Sequence, residues 1–430
     1  MIRKSLFILF SFCLFLPVCG KDTIFNEWFE NRTLRIDCIL TGDSVNQCLG
    51  VGELSSTPYW AGRRNNLDSL GLKGAGQLYV TDEETGKLIY TTSFSTLFQE
   101  WQATKEALSK RRSFEQTFLV PMPKKPVSIK IDLTNSWQRI TGTTSFNVNP
   151  QDILIRKKDS CIAQPHKEIL HSGDMGKCVD IVFVAEGYTQ EQMETFYQDV
   201  KQVTDHIFAH QPFTKLKNRF NITAVGCPSK DAGVSIPGKG IWKETALGAA
   251  FDTFYSDRYL TTLHVKDMYD LLEGIPFEQI IVLANTEKYG GGGIYNLYML
   301  SSAHNKSSLP VCVHEFGHSF AGLGDEYDYG DGSSEYYHQG VEPWEPNITT
   351  LHDFNSKWAD MIPAGTPIPT PKSDNKDVRN TRVGLFEGAG YMSKGVYRPV
   401  EECRMKINDV PAFCPVCQRA IERMIRYLTE

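Results

Sequence analysis

The chain has 430 residues, 41% of them hydrophobic and 22% charged, and a formal net charge of −6. That length exceeds one ordinary core, so two domains are expected. The mild acidity, with no long basic run and no basic face interleaved with aromatics, excludes nucleic acid as an expected partner.

Residues 1–20 read as a secretory signal: Arg3 and Lys4 precede the apolar run Leu6 to Val18, and small residues follow before Lys21. The run is too short for a membrane span, so an exported protein is expected. Leu16-Pro17-Val18-Cys19 imperfectly resembles a lipobox, which would place a lipid anchor on Cys19. Removing the signal leaves Cys38, Cys48, Cys161, Cys178, Cys227, Cys312, Cys403, Cys414 and Cys417, an odd set in an oxidising compartment. Cys38 with Cys48 closes a short loop, and Cys312 suits a free thiol. Cys414-Pro-Val-Cys417 lacks the other half of a zinc knuckle and any preceding thioredoxin-like strand, so bridging with Cys403 is expected.

From 21 to 165 short alternating runs with turn signals predict an antiparallel β-sandwich: Gly76 to Thr81, Leu88 to Thr92, Phe114 to Val120 and Val127 to Leu133, with one helical window at Ser95 to Ser109. Such a domain braces the rest of the chain or binds a partner. Trp60, Trp101 and Trp137 are candidates for a glycan platform, against core packing as the ordinary fate of tryptophan.

Ser160 to Gly176 reads as a linker, and a different periodicity opens the domain assigned to 166–430. Asp180 to Glu186 is a buried strand, Thr189 caps a helix reaching about His210, Phe220 to Gly226 is a strand, Arg258 to Leu272 a helix, and Gln279 to Ala284 a third strand. Alternating strands and helices predict a mixed, mostly parallel sheet flanked by helices. Gly290 to Gly293 interrupts the pattern, and Ile294 to Ser301 is a further strand.

Next comes Ser308 to Tyr327, SLPVCVHEFGHSFAGLGDEY. Ser307 or Ser308 can cap a helix, Pro310 is tolerated in its first turn, and Leu309, Val313, Phe316 and Phe320 give it an apolar face. On that helix His314 and His318 stand one turn apart on one face, close enough to hold one metal ion, with Glu315 within reach of its water. Gly322 and Gly324 let the chain turn, and Asp325 is the first available ligand beyond them. It is assigned as the third ligand of a Zn2+ site, with its neighbour Glu326 as the alternative. Glu335, Glu342 and Glu345 lie in a stretch that does not read as a helix.

Asp328, Asp331 and Glu335 can be read as calcium ligands, although their spacing is not that of an EF-hand and solvated acids explain them as well. Ala364 to Asn380 marks a long surface insertion. Val416 to Leu428 closes the chain as a helix with Ala420, Ile421, Met424, Ile425 and Leu428 at helical spacing.

HEFGHSF followed by GLGDEY resembles the motif of the bacterial IgA-peptidase family of metallopeptidases, a branch similar to the metzincins. The resemblance implies an N-terminal region before the catalytic domain, an antiparallel edge strand that pairs with substrate, here placed along Ile294 to Leu300, and a methionine in a tight turn beneath the histidines. Met405 is preferred over Met392 for that methionine, because a cysteine two residues earlier recurs in several metzincin branches. The general metzincin pattern carries one residue fewer between the second histidine and the glycine than separates His318 from Gly322.

The expectation is therefore an α+β multidomain protein, an N-terminal β-sandwich followed by a metzincin-like zinc peptidase domain. His314, His318 and Asp325 bind zinc, Glu315 is the general base, and the substrate is a protein or peptide, immunoglobulin A or another glycoprotein among the options. A surface adhesin or glycan-binding protein with an inactive metallohydrolase domain is the alternative from another class. An amidase acting on small substrates or peptidoglycan is the alternative among enzymes.

Overall fold

A computed structural model describes residues 23–160, 162–330 and 336–430. The signal segment, Cys19, Cys161, Asp331 and Glu335 lie outside the described residues. A short helix α1 (Phe25–Trp28) leads into the long strands β1 (Phe29–Gly42) and β2 (Gln47–Pro58). The strands β3 (Gly76–Asp82), β4 (Leu88–Phe94), β5 (Arg112–Pro123), β6 (Val127–Thr134), β7 (Ile140–Val148) and the two-residue β8 (Arg156–Lys157) follow. They form two four-stranded sheets, ordered β5-β1-β2-β8 and β4-β3-β6-β7, antiparallel except for β2 with β8. Period-2 alternation places Leu34, Ile36 and Leu40 of one sheet and Leu78, Val80, Ile129 and Ile131 of the other in a single buried core.

The tryptophans do not make a platform. Trp60 and Trp101 are buried, and only Trp137 is exposed, its ring stacked 3.7 Å from that of His338. An aromatic that can bury its whole ring in a core does so.

The second half is built on a six-stranded sheet: β9 (His166–Leu170), β10 (Val179–Glu186), β11 (Phe220–Val225), β12 (Gln279–Ala284), β13 (Gly291–Ile294) and β14 (Tyr298–Ser302), in the order β13-β14-β12-β10-β11-β9. The pairs β10/β11, β10/β12 and β12/β14 are parallel, and both outer pairs are antiparallel. Every residue of β10 and β12 is buried, as expected for strands covered on both faces. The fold is thus a mixed α+β one.

Three expectations are corrected here. The linker 160–176 contains a strand, since β9 pairs with β11 and covers the free edge of the sheet. The helix expected from Arg258 begins only at Val265, because Tyr259 and Thr261 are drawn into bridges with Gly291 and Ala250. The strand expected over Ile294 to Ser301 is broken at Tyr295–Leu297. The antiparallel edge strand is the glycine run of β13 instead, while β14 lies inside the sheet.

Helix α2 (Leu97–Gln102) belongs to the front half, with the Thr96 hydroxyl accepting from Gln99 N at its start. A Thr189–Gln192 capping box precedes α3 (Met193–Ile207), and α4 (Val265–Leu271), α5 (Ser308–Ala321) and α6 (Pro415–Thr429) complete the major helices. No helix among the described residues is long and apolar enough to cross a membrane. A hairpin of β15 (Phe386–Ala389) and β16 (Met392–Arg398) joins the segment that follows α5, where Gly390 N donates to Asp325 O at 2.8 Å.

The two halves are fastened by specific polar contacts. Fully buried Arg35 pairs with Asp37 at 2.8 Å and reaches across to Asp270 at 2.6 Å. Ser95 N donates to Tyr295 O at 2.9 Å, and the Asn296 amide donates to Ser93 O at 2.8 Å. Both of these last contacts hold the turn between β13 and β14 against the front half.

Candidate metal centre and cleft

Helix α5 is set by what lies behind it. Val313, Phe316 and Phe320 are buried, and Phe213 packs on Phe316 at 5.4 Å and on Phe320 at 6.1 Å between ring centres. This leaves His314, Glu315 and His318 on the opposite side, facing a cleft of about 980 Å³. Gly322 ends the helix at φ +58, and a Cβ on Gly324 would lie 2.8 Å from Ile348 Cδ1. The turn between them is clamped by buried Asn347, which accepts from Gly324 N at 2.7 Å and donates to Gly324 O at 2.9 Å.

That turn brings Asp325 back over the helix. Its Oδ1 lies 3.0 Å from His314 Nε2 and 3.3 Å from His318 Nε2, and the two Nε2 atoms are 2.9 Å apart. The far ring nitrogens face backbone carbonyls: His314 Nδ1 is 3.1 Å from Arg404 O, and His318 Nδ1 is 2.5 Å from Leu323 O. A carbonyl can only accept, so each Nδ1 carries a proton, and in the neutral ring Nε2 presents the lone pair. Three lone-pair donors therefore converge on one point, and Asp325 Oδ1 is buried without a hydrogen-bond partner. Such a cluster is repulsive alone and fits a cation.

The other candidates among the described residues do not join them. Glu345 is held by Tyr337, whose hydroxyl donates to Oε1 at 2.9 Å, and Glu342 accepts from Asp353 N. Glu326 points away from the histidines into a separate cluster with Cys403, Cys414 and Cys417. The expected bridges are absent as well: Cys38, Cys48, Cys403, Cys414 and Cys417 are all free thiols, as is Cys312, and Cys403 Sγ stands 3.8 Å from Cys417 Sγ. In the strand register Cys38 faces Val51 while Cys48 faces Thr41, which separates that pair.

Met405 rather than Met392 lies under the helix. A Cβ on Gly317 would come within 2.8 Å of Met405 Sδ, and Met405 O accepts from Glu326 N at 2.9 Å. Met392 instead accepts from Tyr337 N in a separate small core.

Several residues of the site gave no signal in the sequence. The Tyr391 hydroxyl donates to Asp325 Oδ2 at 2.5 Å, from a residue at φ +67 at the tip of the β15–β16 hairpin. Glu100 of α2 enters the same cleft and accepts from the Tyr259 hydroxyl, so the front half supplies one wall. A tyrosine in a hairpin and a glutamate on a short helix have no spacing that announces such roles.

Burial pushes the Glu315 carboxyl above its ordinary value, with the two imidazoles pulling it partway back. Burial also lifts Glu100 to about 7, against the Tyr259 hydroxyl, which acts to lower it. Glu100 is therefore largely protonated below that pH and charged above it. The KM for a lysine-rich peptide is expected to fall several-fold as pH rises through about 7, and Glu100→Gln should flatten this dependence. An unchanged profile in the variant would remove Glu100 from substrate contact.

What converges here is a group of two imidazoles and a carboxylate that could hold a metal ion, set in a cleft beside the edge of a sheet; the class, by the family that the chain matches, is that of a peptidase. The chain belongs to the M64 family. The model described as IgA Peptidase M64 matches residues 167–382 and 374–425, and that described as Peptidase M64 N-terminus matches residues 24–144. No curated protein matches the chain.

Proposed function

We propose that the protein is an exported zinc endopeptidase with a metzincin-like catalytic domain braced by a front β-sandwich. The observation that carries this is the convergence of His314 Nε2, His318 Nε2 and Asp325 Oδ1 beside Glu315. A zinc ion held there would polarise the scissile carbonyl and lower the pKa of its water to about 7. Glu315 takes the proton of the attacking water and passes it to the departing amine. Gly292 to Ile294 of β13, beyond the bridge between Gly291 and Tyr259, would pair with the extended substrate by main-chain hydrogen bonds, which moves the substrate line from the Ile294 to Leu300 run to the edge strand itself. The Tyr391 hydroxyl and the carbonyls of Arg404 and Leu323 orient the three ligands.

Immunoglobulin A or another glycoprotein is the substrate proposed from the family description. A wide cleft with walls from both halves favours a polypeptide over a small amide. Chelation should abolish cleavage of a quenched peptide, and zinc should restore it; activity that survives complete chelation would refute the reading. Tyr391→Phe should weaken zinc affinity by about 10–100-fold in competition with a chromophoric chelator. Unaltered affinity would show that the hydroxyl does not orient Asp325.

A further inference from the structure

Behind the histidines lies a second group of metal-binding atoms that peptide hydrolysis does not use. Glu326, Cys403, Cys414 and Cys417 are wholly buried, and one ligand atom from each lies within 4.8 Å of all the others. We propose that these four residues bind a second zinc ion, a structural one that ties the segment after Asp325, the turn carrying Met405 and the start of α6 into one rigid base for the first site.

Four observations carry this. The first is the sulfur spacing. Two thiolates about 2.3 Å from one tetrahedral zinc lie roughly 3.8 Å apart, and Cys403 Sγ and Cys417 Sγ are separated by 3.8 Å. The second is the carboxylate. Glu326 Oε1 is 3.1 Å from Cys417 Sγ and accepts from the Asn347 amide at 2.9 Å, whereas Oε2 is buried with no hydrogen-bond partner. An orphaned, fully buried carboxylate oxygen is costly, and a cation removes the cost.

The third is the backbone around the sulfurs. Cys414 N donates to Cys403 Sγ at 3.3 Å, and Cys417 N donates to Cys414 Sγ at 3.5 Å across the first turn of α6. The amide and helix N-terminus aimed at the Cys414 sulfur favour its thiolate, whereas burial favours the thiol at Cys403 and Cys417 until a cation is bound. The positive charges of Arg398 and Lys406 act on Glu326 and offset part of the negative charge of the ligand set.

The fourth is the arithmetic of three sulfurs. A disulfide between any two would leave one buried thiol and the Glu326 carboxylate unexplained, whereas a thiolate-rich tetrahedral zinc site uses all four groups and leaves no open position.

The location gives the ion its task. Glu326 follows Asp325, and its N–H is held by Met405 O, two residues beyond Cys403. Arg404, between Cys403 and Met405, supplies the carbonyl facing His314 Nδ1. The second ion would therefore lock two of the segments that position the first.

The test uses the full chain carrying His314→Ala and His318→Ala, which removes the first site. This variant is expected to retain one zinc per chain against two in the wild type. Its cobalt-substituted form is expected to show an intense thiolate-to-cobalt charge-transfer absorption, absent when Cys414→Ser and Cys417→Ser are added. If the serine variant does not fold, the histidine variant alone decides. A histidine variant that folds and binds neither zinc nor cobalt overturns the proposal. A wild type whose single zinc survives the histidine substitutions would support this second site while refuting the first, so the two readings fail separately.

Discussion

Glu315→Gln is expected to lower kcat/KM on a quenched peptide by about 10²–10⁴-fold, the range for removing a positioned general base, with zinc content unchanged. The amide keeps the shape of the side chain and its packing against β13, where a Cβ on Gly291 would lie 3.1 Å from Glu315 Cγ. What it loses is the capacity to take a proton. The loss should fall on kcat, since the substitution removes a proton acceptor and keeps the shape of the side chain. The same residue separates the two classes of function, because a structural zinc in an adhesin has no use for an adjacent carboxylate. If the variant cleaves as fast as the wild type, Glu315 is not the base; if neither cleaves any peptide, the adhesin reading gains.

The second large effect is steric. A Cβ at Gly293 would sit 2.3 Å from the backbone oxygen of Glu315 and 3.0 Å from His318 Cβ. Backbone cannot rotate away as a side-chain tip can, so Gly293→Ala must push β13 off α5. A destabilisation of about 3 kcal/mol, at the upper end of overpacking costs, is expected. A shift of about 1 Å in this wall of the cleft should also cost roughly 10²-fold in activity. Gly50→Ala is the control, because its Cβ would meet only Ile39 O, at 4.0 Å. Equal melting temperatures and activities for the two variants would show that β13 is free to move away from the helix.

These two predictions mark where the sequence was legible and where it was not. Helix α5, its exit at Gly322 and the return of Asp325 follow from local rules: a 3.6-residue apolar stripe, a left-handed glycine and a short turn. Strands β10 and β12 were equally plain, because a run buried on both faces is continuously apolar. With three residues between His318 and Gly322, Asp325 still lies beside both histidines, and Asn347 clamps the turn that carries it there.

What failed was set by distant partners. Nothing local says that residues 258–264 pair instead of coiling, or that three glycines form an edge strand because a helix backbone and the Tyr259 ring leave no room for side chains. Glu100 and Tyr391 reach the site from opposite halves of the chain. Cys403 and the Cys414–Cys417 pair were visible as sulfur, but Glu326, the partner that changes their meaning, is far away in sequence and adjacent only in the fold.

The central claim is tested most directly by anomalous diffraction at the zinc edge on crystals of the full chain equilibrated with Zn2+. The account predicts a peak at the point on which His314 Nε2, His318 Nε2 and Asp325 Oδ1 converge, within bonding distance of all three. No peak there under saturating zinc, with the three side chains directed apart, would contradict it.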